Sequence, residues 1–113
     1  MKTNKNSSEH YVWGDNCSGW HLLKTKRLSI IEELMPANTS EQRHYHTFSQ
    51  QYFYILKGKA SFELEGETIN VEQGERIYIK PKMKHQIRNS TTDDLEFLVI
   101  SQPATKNDRT NII

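Results

Sequence analysis

The sequence predicts an all-β domain, a closed or double-sheet architecture of which the jelly roll is the common small form. Three observations lead there. Glycines recur at eight-residue intervals, as Gly58 in "LKGKA", Gly66 in "LEGET" and Gly74 in "EQGER". Between them lie short runs rich in Ile, Val, Tyr and Phe, with apolar and polar residues alternating. No segment of useful length carries an apolar period of 3.6. Glycine supplies the positive φ that tight hairpins need, and short strands at such spacing belong to sandwiches and barrels.

The elements follow in order. Residues 1–10 are polar and read as a frayed N-terminal tail. Trp13 and Trp20 come next, where large aromatics cover a sheet or a partner subunit, and His10 and His21 nearby take no role. The run "RLSIIEEL" (27–34) is a strand in which Glu32 and Glu33 adjoin, so alternation sends one of them inward. An interior carboxylate there is a candidate catalytic base; the plain alternative is a side chain reaching solvent at a strand end. "RHYH" (43–46) and "QYFYIL" (51–56) follow. If Gln51 points inward, Phe53 and Ile55 do too, and Tyr52 and Tyr54 face away. "ASFEL" (60–64) puts Ala60, Phe62 and Leu64 on one face, while "TINV" (68–71) and "RIYI" (76–79) pair Ile69 with Val71 and Ile77 with Ile79. Lys80, Lys82 and Lys84 alternate along the next turn, where they guard an exposed edge or steer an anion. "HQIRN" (85–89) and "LEFLVI" (95–100) are the last strands, the latter apolar on both faces and so expected to be covered outside as well. Residues 103–113 read as a C-terminal tail, which leaves 11–102 as the folded domain.

At 113 residues the chain is one domain with one core. A formal net charge of +1, with acids and bases well mixed, gives no footprint for nucleic acid or an anionic membrane. A single cysteine, Cys17, excludes an intrachain disulfide. The opening "MKTNKNSSEH" has no apolar core of a signal peptide, and nothing reaches the length of a membrane span, so a cytoplasmic protein is expected.

His44 and His46 lie two apart on a strand, so both project from one face while Tyr45 points away. Two imidazoles so placed can chelate one metal ion, although an exposed His-x-His is also an ordinary solvated face. Gln51 opens the following strand, and His85 opens another after a proline-containing turn. Each can reach the same point if the strands fold over one another. The spacing then continues: His44-x-His46, four residues, Gln51, six residues, Gly58; and Gly74, five residues, Lys80-Pro81-Lys82, two residues, His85, three residues, Asn89. This resembles the two motifs of the cupin superfamily, G-x5-H-x-H-x3–4-E-x6-G and G-x5-P-x-G-x2-H-x3-N, across residues 44–89.

The resemblance implies a double-stranded β-helix holding one divalent transition metal per chain on His44, His46, Gln51 and His85. Imidazole and amide oxygen accept Zn, Ni, Fe, Mn or Cu alike. Small cupins commonly dimerise through added strands, which implies a homodimer. Three departures stand out. Asn38 occupies the place of the first motif's leading glycine, Lys80 and Lys82 replace a proline and a glycine, and Gln51 replaces glutamate. A glutamine can still offer an oxygen but brings no charge, so the metal would keep its full +2. A more positive centre polarises a bound oxygen more strongly and favours anionic ligands.

Fold alone does not select a reaction. The resemblance implies a metal-dependent enzyme of lyase, isomerase, cyclase or dioxygenase type, acting on a small oxygen-rich or carboxylated metabolite. The alternative is a non-catalytic barrel that binds a small anionic metabolite. A second acid or base beside the metal, from Glu32 or Glu33, would favour catalysis. A third reading, a metal-free dimerisation barrel, predicts histidines that do not converge. The ligand set is similar to that of small cupins that assist ring opening of unsaturated uronates. Those carry an aspartate on the last strand where this chain has Val99, which argues against that reaction. Phe48, between His46 and Gln51, is expected either to wall the pocket mouth or to anchor its loop.

Overall fold

Alternation along the strands decides the layering. The computed structural model describes residues 2–113, and among them there is no α-helix. The strands are β1 (Glu9–Trp13), β2 (Cys17–Lys24), β3 (Ser29–Met35), β4 (Thr39–Ser40), β5 (His44–Tyr45), β6 (Gln50–Lys57), β7 (Lys59–Leu64), β8 (Glu67–Glu72), β9 (Arg76–Ile79), β10 (His85–Asn89), β11 (Leu95–Gln102) and β12 (Thr110–Asn111). They form two antiparallel sheets, ordered β1-β2-β3-β11-β6-β9 and β12-β5-β10-β7-β8, with β4 paired to β10. This is the jelly-roll double-stranded β-helix that the sequence predicts.

The inner faces carry the apolar residues of each alternating run. Phe53 and Ile55 of β6, Phe62 of β7, Ile87 of β10 and Phe97 and Val99 of β11 are buried together. Phe53 packs edge-on against Phe62 at 5.1 Å and lies 5.7 Å from Phe97. Tyr52, one residue out of phase, faces solvent.

The turns obey the chemistry expected of them. Gly58 has φ +88°, and a Cβ there would meet the Asp94 carbonyl oxygen at 2.7 Å, so backbone conformation and space both require glycine. The two motif glycines that this chain lacks are instructive. Asn38 and Lys82 stand in their places and hold the same left-handed backbone, at φ 59° and 71°. Both residues thus hold a left-handed backbone that favours glycine while carrying a side chain. Asn89, the last residue of the second motif, is fully buried. Its amide donates to the carbonyls of Met35, Pro36 and Asp93 while its oxygen accepts from Thr91, pinning the end of β10 to two neighbouring turns.

Regular structure is found in both segments read as tails. Within residues 2–10, Asn4 caps a short 3₁₀ turn at Lys5–Ser7, and β1 begins at Glu9. Lys5 bridges Glu32 at 2.8 Å and Glu96 at 3.3 Å and sits 4.8 Å above the Trp20 ring. The segment thus ties to the outer face of the larger sheet, the face expected to be covered at "LEFLVI". At the other end β12 pairs with β5, Ala104 donates to the Lys26 carbonyl, and Ile112 donates to the Arg43 carbonyl. Long-range backbone hydrogen bonds order a polar segment that has no apolar pattern of its own. No helix among the described residues is long and apolar enough to cross a membrane.

Candidate metal centre

His85 lies directly opposite His44 in the β10–β5 register, which brings their rings to 4.3 Å between centroids. His46 follows two residues on and meets His44 edge-on at 4.9 Å. Gln51, the second residue of β6, lies beside Ser101 of β11 and Ile79 of β9. The three histidines are buried, and each offers a ring nitrogen within 4.8 Å of the others. The convergence follows from strand parity, since each of these positions faces the interior of its sheet.

Hydrogen bonds fix how the rings point. His44 Nδ1 donates to the Gln42 carbonyl at 2.8 Å, His46 Nδ1 to Asp108 at 2.6 Å and His85 Nδ1 to Met83 at 2.9 Å. With Nδ1 as the donor, each Nε2 carries a free lone pair. Nε2 of His46 and of His85 is buried with no partner, and so is Gln51 Oε1, whose own amide nitrogen bonds Ser101 Oγ at 3.0 Å. A buried polar atom left unpaired costs about 1–3 kcal/mol. Burial, with the neighbouring histidines, pushes His44 down to about 3 and His85 to about 4, and it lowers His46 as well. All three are thereby shifted toward the neutral form. Neutral imidazoles with inward lone pairs and an unpaired amide oxygen suit a divalent transition metal.

The cluster opens onto a cavity of about 470 Å³. Of the two adjoining glutamates, Glu33 lines this cavity, and Glu32 points outward to Lys5. Val99 is inside, beside Phe53, as its register requires. Phe48 does not wall the mouth; it is 74% exposed and lies in a separate surface depression with Pro81 and Pro103.

Several residues here were not legible in the sequence. Glu41 lines the cavity, accepts from the Ile87 amide at 3.1 Å and comes within 3.9 Å of His44 Nδ1. Burial raises Glu33 to about 7; burial and then the neighbouring Glu33 raise Glu41 to about 8, and Arg109 opposes both shifts. Tyr11 donates to Glu33 Oε1 at 3.4 Å. The charge of the cavity is therefore not set by Gln51 alone, since two protonatable carboxyls and Arg109 share it. Glu41 sits in a loop, where no periodicity assigns a direction. Asp108 and Arg109 fall in the segment read as a tail, and the only local hint was the turn-forming "KND".

A model of the cupin domain matches residues 30–101. The chain is 31% identical over 93 residues to an uncharacterised protein of Methanocaldococcus jannaschii, covering 82% of this chain and 74% of that one. It is 33% identical over 57 residues to a tetracenomycin polyketide synthase protein of Streptomyces glaucescens, covering 50% of this chain and 38% of the other. Among solved structures, a protein of Thermotoga maritima described as a predicted oxalate decarboxylase superposes with a TM-score of 0.84. That match covers 92% of this chain and all of the other at 21% identity, a likeness of fold.

Proposed function

Because this chain belongs to the cupin family, we propose that it is a metal-dependent enzyme that moves a proton on a small carboxylated or oxygen-rich metabolite, a lyase, isomerase or cyclase. One observation carries the reading. The cavity lined by His44, His46 and Gln51, which cluster with the buried His85, also holds two carboxyls, Glu33 and Glu41, whose pKa values burial raises toward neutral pH.

His44, His46, His85 and Gln51 would hold the metal, which supplies Lewis acidity toward a substrate oxygen. Glu33 and Glu41 supply the proton chemistry. A carboxyl whose pKa lies near the working pH can give a proton and take one back with little penalty either way. Tyr11 orients Glu33 by its hydrogen bond, and Phe53 and Val99 form an apolar wall that limits water. The acid pair is what disfavours the purely binding alternative, and a dioxygenase has less use for it.

The test begins with metal analysis of untagged protein. Metal-loaded protein is then incubated in deuterated buffer with a panel of small 2-oxo and hydroxy acids, and carbon-bound deuterium is read by NMR. Exchange is expected in the wild type and should be lost in both Glu33→Gln and Glu41→Gln. Protein that stays metal-free under every divalent ion tried would defeat the site. We further propose a homodimer, supported by the open outer edge of β1 and by Val12 there, 63% exposed. A monomeric mass at micromolar concentration would overturn it.

A further inference from the structure

Among the described residues that line the metal-site cavity, Arg109 is the only lysine or arginine. It comes from the segment expected to be a tail, and its backbone is tied on both sides to the strand that carries the histidines. On one side Asp108 accepts the amides of Thr47, Phe48 and Ser49, and its own carbonyl holds His46 Nδ1. On the other, Thr110 and Asn111 pair with Tyr45 and His44. The position of Arg109 is thus fixed relative to the candidate ligands.

Its side chain lies exposed at the wall of the cavity. Nε donates to Asn111 Oδ1 at 2.8 Å, and among the described residues Arg109 makes no ion pair. Glu33 and Glu41 line the same cavity, but neither forms a salt bridge with Arg109. An unpaired guanidinium keeps its terminal N–H groups for a planar anion, and the fork of donors matches a carboxylate in two parallel bonds.

We propose that Arg109 determines the specificity of this cavity by binding a carboxylate of the substrate. The preferred ligand then has two oxygen-rich ends, one for the histidine–glutamine cluster and one for Arg109. The inference rests on reading this cavity as the substrate site, and it narrows the substrate class to short molecules of that kind.

The experiment uses malonate, succinate and glutarate, each against its monomethyl ester, titrated calorimetrically into wild type, Arg109→Gln and Arg109→Lys with and without bound metal. In the best-fitting member the wild type should prefer the dicarboxylate. Arg109→Gln should cut that preference by about tenfold or more, the size of a charge-assisted hydrogen bond lost. Arg109→Lys should retain part of it, since charge survives and the fork does not. Circular dichroism and metal uptake should match in all three. Equal preference in wild type and Arg109→Gln overturns the assignment. If no metal binds, an Arg109-dependent preference in the metal-free protein still supports the assignment, and only the metal reading falls.

Discussion

Replacing Asp108 with alanine should loosen the loop that follows His46. The carboxylate accepts the amides of Thr47 at 2.7 Å, Ser49 at 2.9 Å and Phe48 at 3.0 Å. The first two bonds are partly buried; the third is exposed, so water takes it over at little cost. At about 1 kcal/mol for each of the two that count, the loss is about 2 kcal/mol. For a domain of this size that lowers the melting temperature by about 6–12 °C. The pH dependence gives a second reading. Burial alone would raise the Asp108 carboxyl, but the amides of Ser49, Thr47 and Phe48 outweigh it and hold it below the ordinary 3.8. Its stabilisation is therefore complete above the unfolded pKa and fades as pH falls through the lower folded value. Thermal melts of metal-free wild type and Asp108→Ala at pH 7 and at pH 3 measure both effects. A gap under 0.5 kcal/mol at pH 7, or one that does not shrink at pH 3, would refute the reasoning.

Alanine at His44, His46 or His85 should abolish most metal affinity, Gln51→Ala should reduce it less because water can replace a neutral oxygen, and Gln51→Glu should retain or tighten it while weakening carboxylate binding; equilibrium dialysis and calorimetry read all of these. Glu33 and Glu41 are raised from 4.5 to about 7 and about 8, so between these values the native state holds more protons than the unfolded one. The three depressed histidines act the other way, but only up to their unfolded value of 6.5, so metal-free protein should lose stability as pH rises from about 7 to about 9, and Glu41→Gln should flatten that decline in urea titrations; an unchanged slope would show that Glu41 ionises normally. Gly66→Ala, at φ +90° with nothing within 4 Å, should cost about 1 kcal/mol. Gly58→Ala should cost about 1–3 kcal/mol more, because its methyl meets the Asp94 carbonyl, and matching urea midpoints would contradict this.

What the sequence revealed and what it hid divide along a physical line. Strand parity is local, so the inward course of Gln51, Phe53 and Ile55 and the shared face of His44 and His46 could be read directly. Parity also required one of Glu32 and Glu33 to face in. It could not say which, because that depends on how β3 registers against β2 and β11. Glu41, Asp108 and Arg109 lie where no period exists. Their places are set by partners 46 to 61 residues away in the chain, as in Glu41 with Ile87 and Asp108 with Thr47. The left-handed turns at Asn38 and Lys82 show a further limit. A motif read letter by letter counts two lost glycines, whereas the backbone takes the left-handed conformation at both places with side chains attached.

The position of β11 has a consequence for how the chain reaches its fold. It lies between β3 and β6, pairing with residues as far away as Ser29 opposite Ser101. A nascent chain released only as far as residue 94 has no strand to fill that gap, so two inner edges of the larger sheet stay open on the ribosome. Sheet closure waits for β11, and the histidine cluster waits longer still, because Asp108 must arrive to hold His46. Distant pairings of this kind give a high contact order, and folding of such topologies runs in milliseconds to seconds. Assembly of the barrel and of its site therefore waits until residues 95–111 have left the ribosome.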